Sequence, residues 1–271
     1  MTIELRYFTG TGNSLKILNT IKQSFCEANH SVKISTIRLG EEIPDCDLIG
    51  FCFPVYAFGI PRITKKYLKL IRPFNSNQKT FVIITAGGLD ESGFAIRECI
   101  NILTSKNCNV IYSHVVQMPI NWVTAMNPPD REEALDIINK GVSQIKLVAQ
   151  DILNGVIKHH TFNIPKRYGR FGLYKEYWLF KYLGVKNLWR LFRVYESCNG
   201  CQLCSKGCPT NSIDMINKKP VWKPSCEQCM RCVNLCPNES IYQKYYGSTI
   251  ERNKYLEPDF KPLHDEKIYL A

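Results

Sequence analysis

Eight of the chain's thirteen cysteines stand in two ordered sets: Cys198, Cys201, Cys204 and Cys208, then Cys226, Cys229, Cys232 and Cys236. Each set ends in Cys-Pro. Thiolates are soft ligands, so such sets suit zinc or iron with sulfide. Zinc is the rival, because Cys201-x-x-Cys204 followed by Cys226-x-x-Cys229 has an acceptable ribbon spacing. A zinc site needs only its own four ligands, and gives no reason for a third cysteine at the next two-residue step or for proline after the fourth. Three cysteines separated by two residues each can wrap three iron corners of a cubane, the last ligand arriving from elsewhere. Asn199, Gly200, Ser205 and Gly207 are small or polar, which lets the backbone approach the sulfur atoms. The other cysteines, Cys26, Cys46, Cys52, Cys99 and Cys108, fall singly in apolar stretches and read as small hydrophobes.

A second group with chemistry in it is Thr9-Gly10-Thr11-Gly12-Asn13-Ser14, which ends an apolar run and opens a helical pattern. Its hydroxyls, amide and bare backbone positions form a cup of donors at a helix N-terminus, which suits a phosphate. A dinucleotide fingerprint would want glycine at position 15, where Leu15 stands, and an acid closing the second strand, where Ile37-Arg38 stands. A Walker loop would want Gly-Lys-Ser/Thr, which is absent. A monophosphate with many hydroxyl contacts remains. Two further loops, Pro54-Val55-Tyr56-Ala57-Phe58-Gly59 and Thr85-Ala86-Gly87-Gly88, follow strand-like runs, where open α/β sheets bind ligands.

These groups need a frame to position them. Ile3–Phe8, Ser31–Ile37, Leu48–Phe53, Thr80–Ala86 and Val110–Val116 predict five strands. Asn13–Ala28, Arg62–Ile71, Glu91–Ser105 and Asp130–Leu153 carry apolar residues at helical intervals. The alternation predicts a parallel sheet covered on both faces, a doubly wound α/β domain over residues 1–155. Residues 156–194 form a basic, aromatic-rich connector. The net charge of +11 divides into +2 over 1–155, +8 over 156–195 and +1 over 196–271.

On a helical wheel Lys175, Glu176, Lys186, Asn187, Arg190 and Arg193 share one side of the connector, with Trp178, Tyr182, Leu188, Trp189 and Phe192 opposite. Lys181 and Gly184 interrupt the pattern. The preferred reading is a helix packing its apolar side on a domain; the alternative is a basic docking surface for an acidic partner or an anionic membrane face. His159 and His160 read as surface loop residues. Residues 195–245 hold a duplication with a period of 28 residues. Each half is too small to fold on apolar burial alone, so a cofactor must supply stability. Residues 246–271 are expected to be an extended wrap or partly disordered. No secretory signal and no membrane-spanning run is evident, so a cytoplasmic, reducing setting is expected.

The region from 195 to 242 resembles the bacterial two-cluster ferredoxins. In that family the fourth ligand crosses over between clusters. The resemblance therefore implies one [4Fe–4S] on Cys198, Cys201, Cys204 and Cys236, and another on Cys226, Cys229, Cys232 and Cys208. Arg231, between two ligands, reads as a solvated side chain; the alternative is that it slightly raises its cluster's potential. The glycine loop resembles the phosphate loop of flavodoxins, which implies a flavodoxin-like five-stranded sheet of order 2-1-3-4-5 and FMN as ligand. Tyr56 or Phe58 is then expected to stack on the flavin ring. For Asn121-Trp122 simple packing is preferred over closing the pocket. Together the halves resemble the flavodoxin–ferredoxin fusion family of anaerobic bacteria and archaea. That implies a low-potential electron carrier serving protein donors and acceptors, with the flavodoxin-like domain joined to a small α+β ferredoxin-like one. Alternatives are a flavin-dependent reductase acting on a small acceptor and a redox-sensing interaction protein. Nucleic acid is not an expected partner.

Overall fold

The computed structural model describes residues 1–74, 78–88, 92, 94–161, 169–179 and 185–262. Five strands, β1 (Thr2–Tyr7), β2 (Ser31–Thr36), β3 (Leu48–Pro54), β4 (Gln78–Ala86) and β5 (Cys108–Gln117), form one sheet of order β2-β1-β3-β4-β5. Every pairing in it is parallel. The expected flavodoxin-like order is therefore the observed one.

Parallel strands need crossovers, and these deposit α1 (Asn13–Glu27) on one face and α2 (Arg62–Leu70) and α3 (Ala95–Thr104) on the other, while α4 (Arg131–Leu153), which follows β5, packs beside α1. Strand side chains alternate between the two cores as the pleat requires. Phe81 and Ile83 of β4 join the α1–α4 side, whereas Val82 and Ile84 join the α2–α3 side. Central β3 is apolar on both faces and consequently reads as a continuous run. The N-terminal signal of α4 is also realised: Asp130 Oδ1 accepts from the Glu133 N–H at 2.9 Å. Arg6 is an exception inside this apolar frame, fully buried and paired with Glu4 at 2.7 Å and Glu41 at 2.9 Å.

The connector is not one amphipathic helix. A helix α5 (Gly169–Leu179) is followed by a short turn of helix α6 (Val185–Asn187), a 3-10 turn over Leu188–Leu191 and then strand β6 (Phe192–Val194). Phe192, placed by the wheel on a helical face, instead lies in the separate core of the cysteine-rich unit, stacked on Trp222 with centroids 4.8 Å apart. Pairing of β6 with β9 (Ile241–Gln243) outweighs the helical pattern there. Trp178, assigned to the packed side, is 54% exposed. The docking of α5 runs through Tyr174 and Tyr177, whose rings lie 4.8 and 4.6 Å from Phe94. Tyr182, Lys181 and Gly184 fall outside the described residues.

Past β6 the second unit repeats itself. Helix α7 (Leu203–Lys206) and hairpin β7–β8 (Ile213–Ile216, Lys219–Trp222) are followed by helix α8 (Arg231–Leu235) and β9. Its left-handed positions recur at the period read from the sequence: Gly200 and Gln228, Gln202 and Met230, Asn211 and Glu239. Such isolated left-handed residues turn successive N–H groups to one side, as anion-binding nests do. No described helix is long and apolar enough to cross a membrane.

One consequence for stability arises far from these turns. His160 is half-buried rather than a free surface residue, its ring edge-on to His114 at 6.3 Å. Burial, then the neighbouring His160 and Lys158, push His114 down to about 4. The unfolded chain binds that proton near pH 6.5, so this contribution to stability is complete above 6.5 and is lost as pH falls toward 4. After discounting for partial exposure we expect about 2 kcal/mol. Urea titrations at pH 7 and pH 5 should show the loss, and His114→Gln should flatten it.

Candidate functional site

The eight clustered cysteines surround two hollows. One is walled by Cys198, Cys201, Cys204 and Cys236, the other by Cys208, Cys226, Cys229 and Cys232. The fold therefore brings each Cys-Pro cysteine to the opposite set, and does not assemble the ribbon pairing that zinc would use. Backbone donors reach the crossing sulfurs in matching fashion, Ser212 N–H to Cys208 Sγ at 3.2 Å and Ser240 N–H to Cys236 Sγ at 3.3 Å. Burial pushes the Cys204 and Cys229 thiols up to about 11. Without metal both would be neutral at pH 7, and a coordinating cation is what would release their protons. The hollows differ in exposure: Cys201 is exposed and Cys198 and Cys236 half-buried, whereas Cys208, Cys226 and Cys232 are buried.

The glycine loop opens on a cavity of about 530 Å³, well inside the range of cofactor pockets. Thr9, Gly10, Thr11 and Asn13 line it with Pro54, Val55, Tyr56, Ala57 and Phe58 of the second predicted loop and Thr85, Ala86 and Gly87 of the third. Gly12, Ser14, Gly59 and Gly88 stand off the wall. Ser14 is buried behind it, its hydroxyl 3.0 Å from that of Thr85, and Gly59 lies beside Glu98 and Tyr177. The N–H groups of Gly10, Thr11, Asn13, Ser14 and Leu15 find no acceptor among the described residues. That is the donor set a phosphate at a helix N-terminus requires.

Asn121 and Trp122 do line the cavity, contrary to the preferred packing reading. Asn121 Nδ2 donates to Thr11 Oγ1 at 2.9 Å and to Cys229 O at 3.3 Å. Tyr56 and Phe58 sit in a tight reversal, Tyr56 and Gly59 exchanging backbone hydrogen bonds while Ala57 and Phe58 take φ of 50° and 62°. The Tyr56 hydroxyl is buried with no hydrogen-bond partner among the described residues, against Gly10 and in the field of Cys229.

The wall also includes Pro119, Ile120, Met126 and Gln228, which the sequence did not single out, and Leu188, which the wheel placed on the apolar side of the connector. Gln228 lies between Cys226 and Cys229, so one short loop belongs to a cysteine hollow and to the cavity together. Three contacts hold this junction. Glu227 accepts from the Arg62 and Ile63 N–H groups at 2.8 and 3.1 Å, capping α2 from the other unit, since Pro61 offers no cap of its own. Burial raises Glu227 to about 7, against the opposing pull of Arg62 and those N–H groups. Arg231, read from the sequence as solvated, is buried and donates to the carbonyls of Gly10, Thr9 and Gly207.

The third contact is the tail, which wraps over the outside of the glycine loop. Glu257 N–H donates to Thr11 O at 2.8 Å, and Tyr255 Oη to Asn13 Oδ1 at 2.5 Å. Lys16 bridges Glu257 and Asp259. Gly12, at φ 105°, lies so close beneath Glu257 and Phe260 that a Cβ would come within 2.6 Å of one and 2.7 Å of the other.

Residues 190–251 match the family described as 4Fe-4S dicluster domain. No curated protein matches the chain. Among solved structures it is similar to a flavodoxin from the domain Archaea, 12% identical, covering 55% of this chain and 99% of that one with a TM-score of 0.36. It is similar also to the two-electron reduced flavodoxin of Megasphaera elsdenii, with 17% identity, 52% and 98% coverage and a TM-score of 0.38. A NAD(P)H:quinone oxidoreductase from Methanothermobacter marburgensis shows 12% identity, 56% and 98% coverage and a TM-score of 0.36. The fold rests on the strand order rather than on these likenesses. The chain fuses a flavodoxin-like sheet to a 4Fe-4S dicluster domain, the architecture of a redox electron-transfer protein.

Proposed function

We propose that the chain carries electrons between protein partners using two [4Fe–4S] clusters and FMN held in one rigid body. The observation that supports this most is the shared loop: Gln228 stands between two cluster ligands and on the wall of the flavin cavity. Clusters handle electrons singly and a flavin singly or in pairs, so the set suits exchange between one- and two-electron partners. The chain's residues supply the holding. Cys198, Cys201, Cys204 and Cys236 would bind one cluster and Cys208, Cys226, Cys229 and Cys232 the other. The free N–H groups of the glycine loop would take the FMN phosphate, and Tyr56, Phe58 and Trp122 would bound the ring. The tight junction makes effective concentration very high without a flexible tether.

The half-exposed first quartet is the end open to a partner. Exposed Lys186, Arg190 and Arg193 in the connector suit an acidic one. With all thirteen cysteines free of disulfides, a reducing compartment fits. Anaerobic protein, chemically reduced and mixed with small quinones and other small acceptors, should show slow, unsaturable oxidation. Saturable turnover at about 10 per second or faster would instead identify a reductase with its own substrate. The strap gives a second check. Phe260→Ala uncovers Gly12 and should weaken FMN binding by roughly tenfold, about 1.4 kcal/mol, with iron content unchanged. Fluorescence of released flavin measures it.

A further inference from the structure

A lone positive charge is buried where the two units meet. Arg231 is 3% exposed, and no carboxylate pairs with it among the described residues. Its Nε, Nη2 and Nη1 donate to the carbonyls of Gly10 at 2.6 Å, Thr9 at 2.9 Å and Gly207 at 3.0 Å. Its face lies 4.9 Å from the Phe260 ring centre. Neutral carbonyls orient a guanidinium without cancelling its charge, and an uncompensated buried cation is costly. Cys229 and Cys232 flank it in sequence, and both wall the hollow that Cys208 and Cys226 complete, so a cluster held there would be the anionic group beside it.

The duplication supplies an internal control. One repeat of 28 residues earlier, the position of Arg231 is held by Leu203. Among the described residues the first hollow has a cation only at its partly exposed rim, where Lys219 Nζ donates to the Cys198 carbonyl at 2.9 Å, so the two hollows differ by a fully buried guanidinium. The acid nearby, Glu227, has its charge engaged by Arg62 and the start of α2.

We propose that Arg231 is the built-in counter-charge of the cluster held by Cys208, Cys226, Cys229 and Cys232, setting its reduction potential above that of the other, and that the same guanidinium aligns the phosphate loop. A thiolate-ligated cubane is net anionic and becomes more so on reduction, so a fixed cation in low dielectric favours the reduced form. Across a trans peptide the carbonyl and the following N–H point opposite ways. Gripping the Thr9 and Gly10 carbonyls therefore turns the Gly10 and Thr11 N–H groups away from Arg231, and these are among the donors left without acceptors. Arg231 is a positioning residue, acting through charge on one cofactor site and through backbone orientation on the other.

The proposal rests on the cofactor reading above, so iron, sulfide and FMN are measured first on each protein. Potentiometric titration followed by electron paramagnetic resonance is then run on anaerobic holoprotein, Arg231→Met and Arg231→Lys. In Arg231→Met one cluster should become at least tenfold harder to reduce, about 59 mV for one electron, while the other stays put. Arg231→Lys keeps the charge but cannot span three carbonyls. It should leave both potentials near wild type and release FMN faster. Full iron content with neither potential moved in Arg231→Met would overturn the proposal, leaving a structural latch. If that variant does not fold, an equally large fall in Arg231→Lys would overturn the charge argument. Wild-type protein without iron would instead defeat the cofactor reading.

Discussion

Cys236→Ser should strip the chain of about half its iron and sulfide while leaving the second cluster's signal intact. Cys236 stands among the second set of cysteines in sequence, but its side chain walls the hollow of Cys198, Cys201 and Cys204. Pairing the variants makes the crossing visible. Cys236→Ser combined with Cys198→Ser should lose no more iron than either alone, because both remove the same cluster. Combined with Cys226→Ser it should lose nearly all. Uncrossed ligation predicts the reverse pattern. The unit's own core includes Cys204, Cys208, Cys226 and Cys232 alongside a handful of apolar residues such as Ile213, Trp222 and Val233. Cluster binding is then largely folding free energy, on the order of 10 kcal/mol for structural metal in small domains, and the variant missing both clusters should unfold past β6.

Gly10→Val should separate the two units and abolish flavin retention. A Cβ at Gly10 would lie 2.5 Å from the Tyr56 hydroxyl, 2.8 Å from the Cys229 carbonyl oxygen and 3.1 Å from Cys229 Cβ. Tyr56 has room to yield only by shifting the cavity wall, and the Cys229 backbone is fixed by its neighbouring ligands. Overpacking of this kind costs about 1–3 kcal/mol or more, concentrated on the interface. Gel filtration should show apoprotein, and limited proteolysis should cut the connector faster. Tyr56→Phe alone removes a buried hydroxyl that lacks a partner among the described residues, so it should be neutral or mildly stabilising. Adding it to Gly10→Ala should recover part of the loss, since the carbonyl contact persists.

The strands and the helices between them were legible because each pattern repeats: period two within strands, three to four within helices, and continuous apolar runs where a strand is covered on both faces. The cysteine sets were legible for the same reason, since a duplicated ligand spacing leaves little choice of chemistry. What escaped were single long-range contacts. Nothing near Arg231 announces that it will reach the carbonyls of Thr9 and Gly10, and nothing around Glu227 marks it as the acid that caps α2. Mixed charges and prolines point to an extended wrap or partial disorder in the tail; over its described residues it is a wrap, and what that composition does not show is that Tyr255 and Glu257 bond to the glycine loop and Phe260 covers it. The connector misled by its periodicity, because Phe192–Val194 gains more from strand pairing with Ile241–Gln243 than from extending a helix.

Both cysteine sets and the phosphate loop should be loaded together within one chain. Stoichiometric reduction of anaerobically purified protein tests it most directly. The expected result is about eight iron and eight sulfide with one extracted FMN, and uptake of roughly four electrons, one per cluster and two by the flavin. Zinc in the cysteine hollows, or a flavin that never binds while the clusters reduce normally, would contradict it.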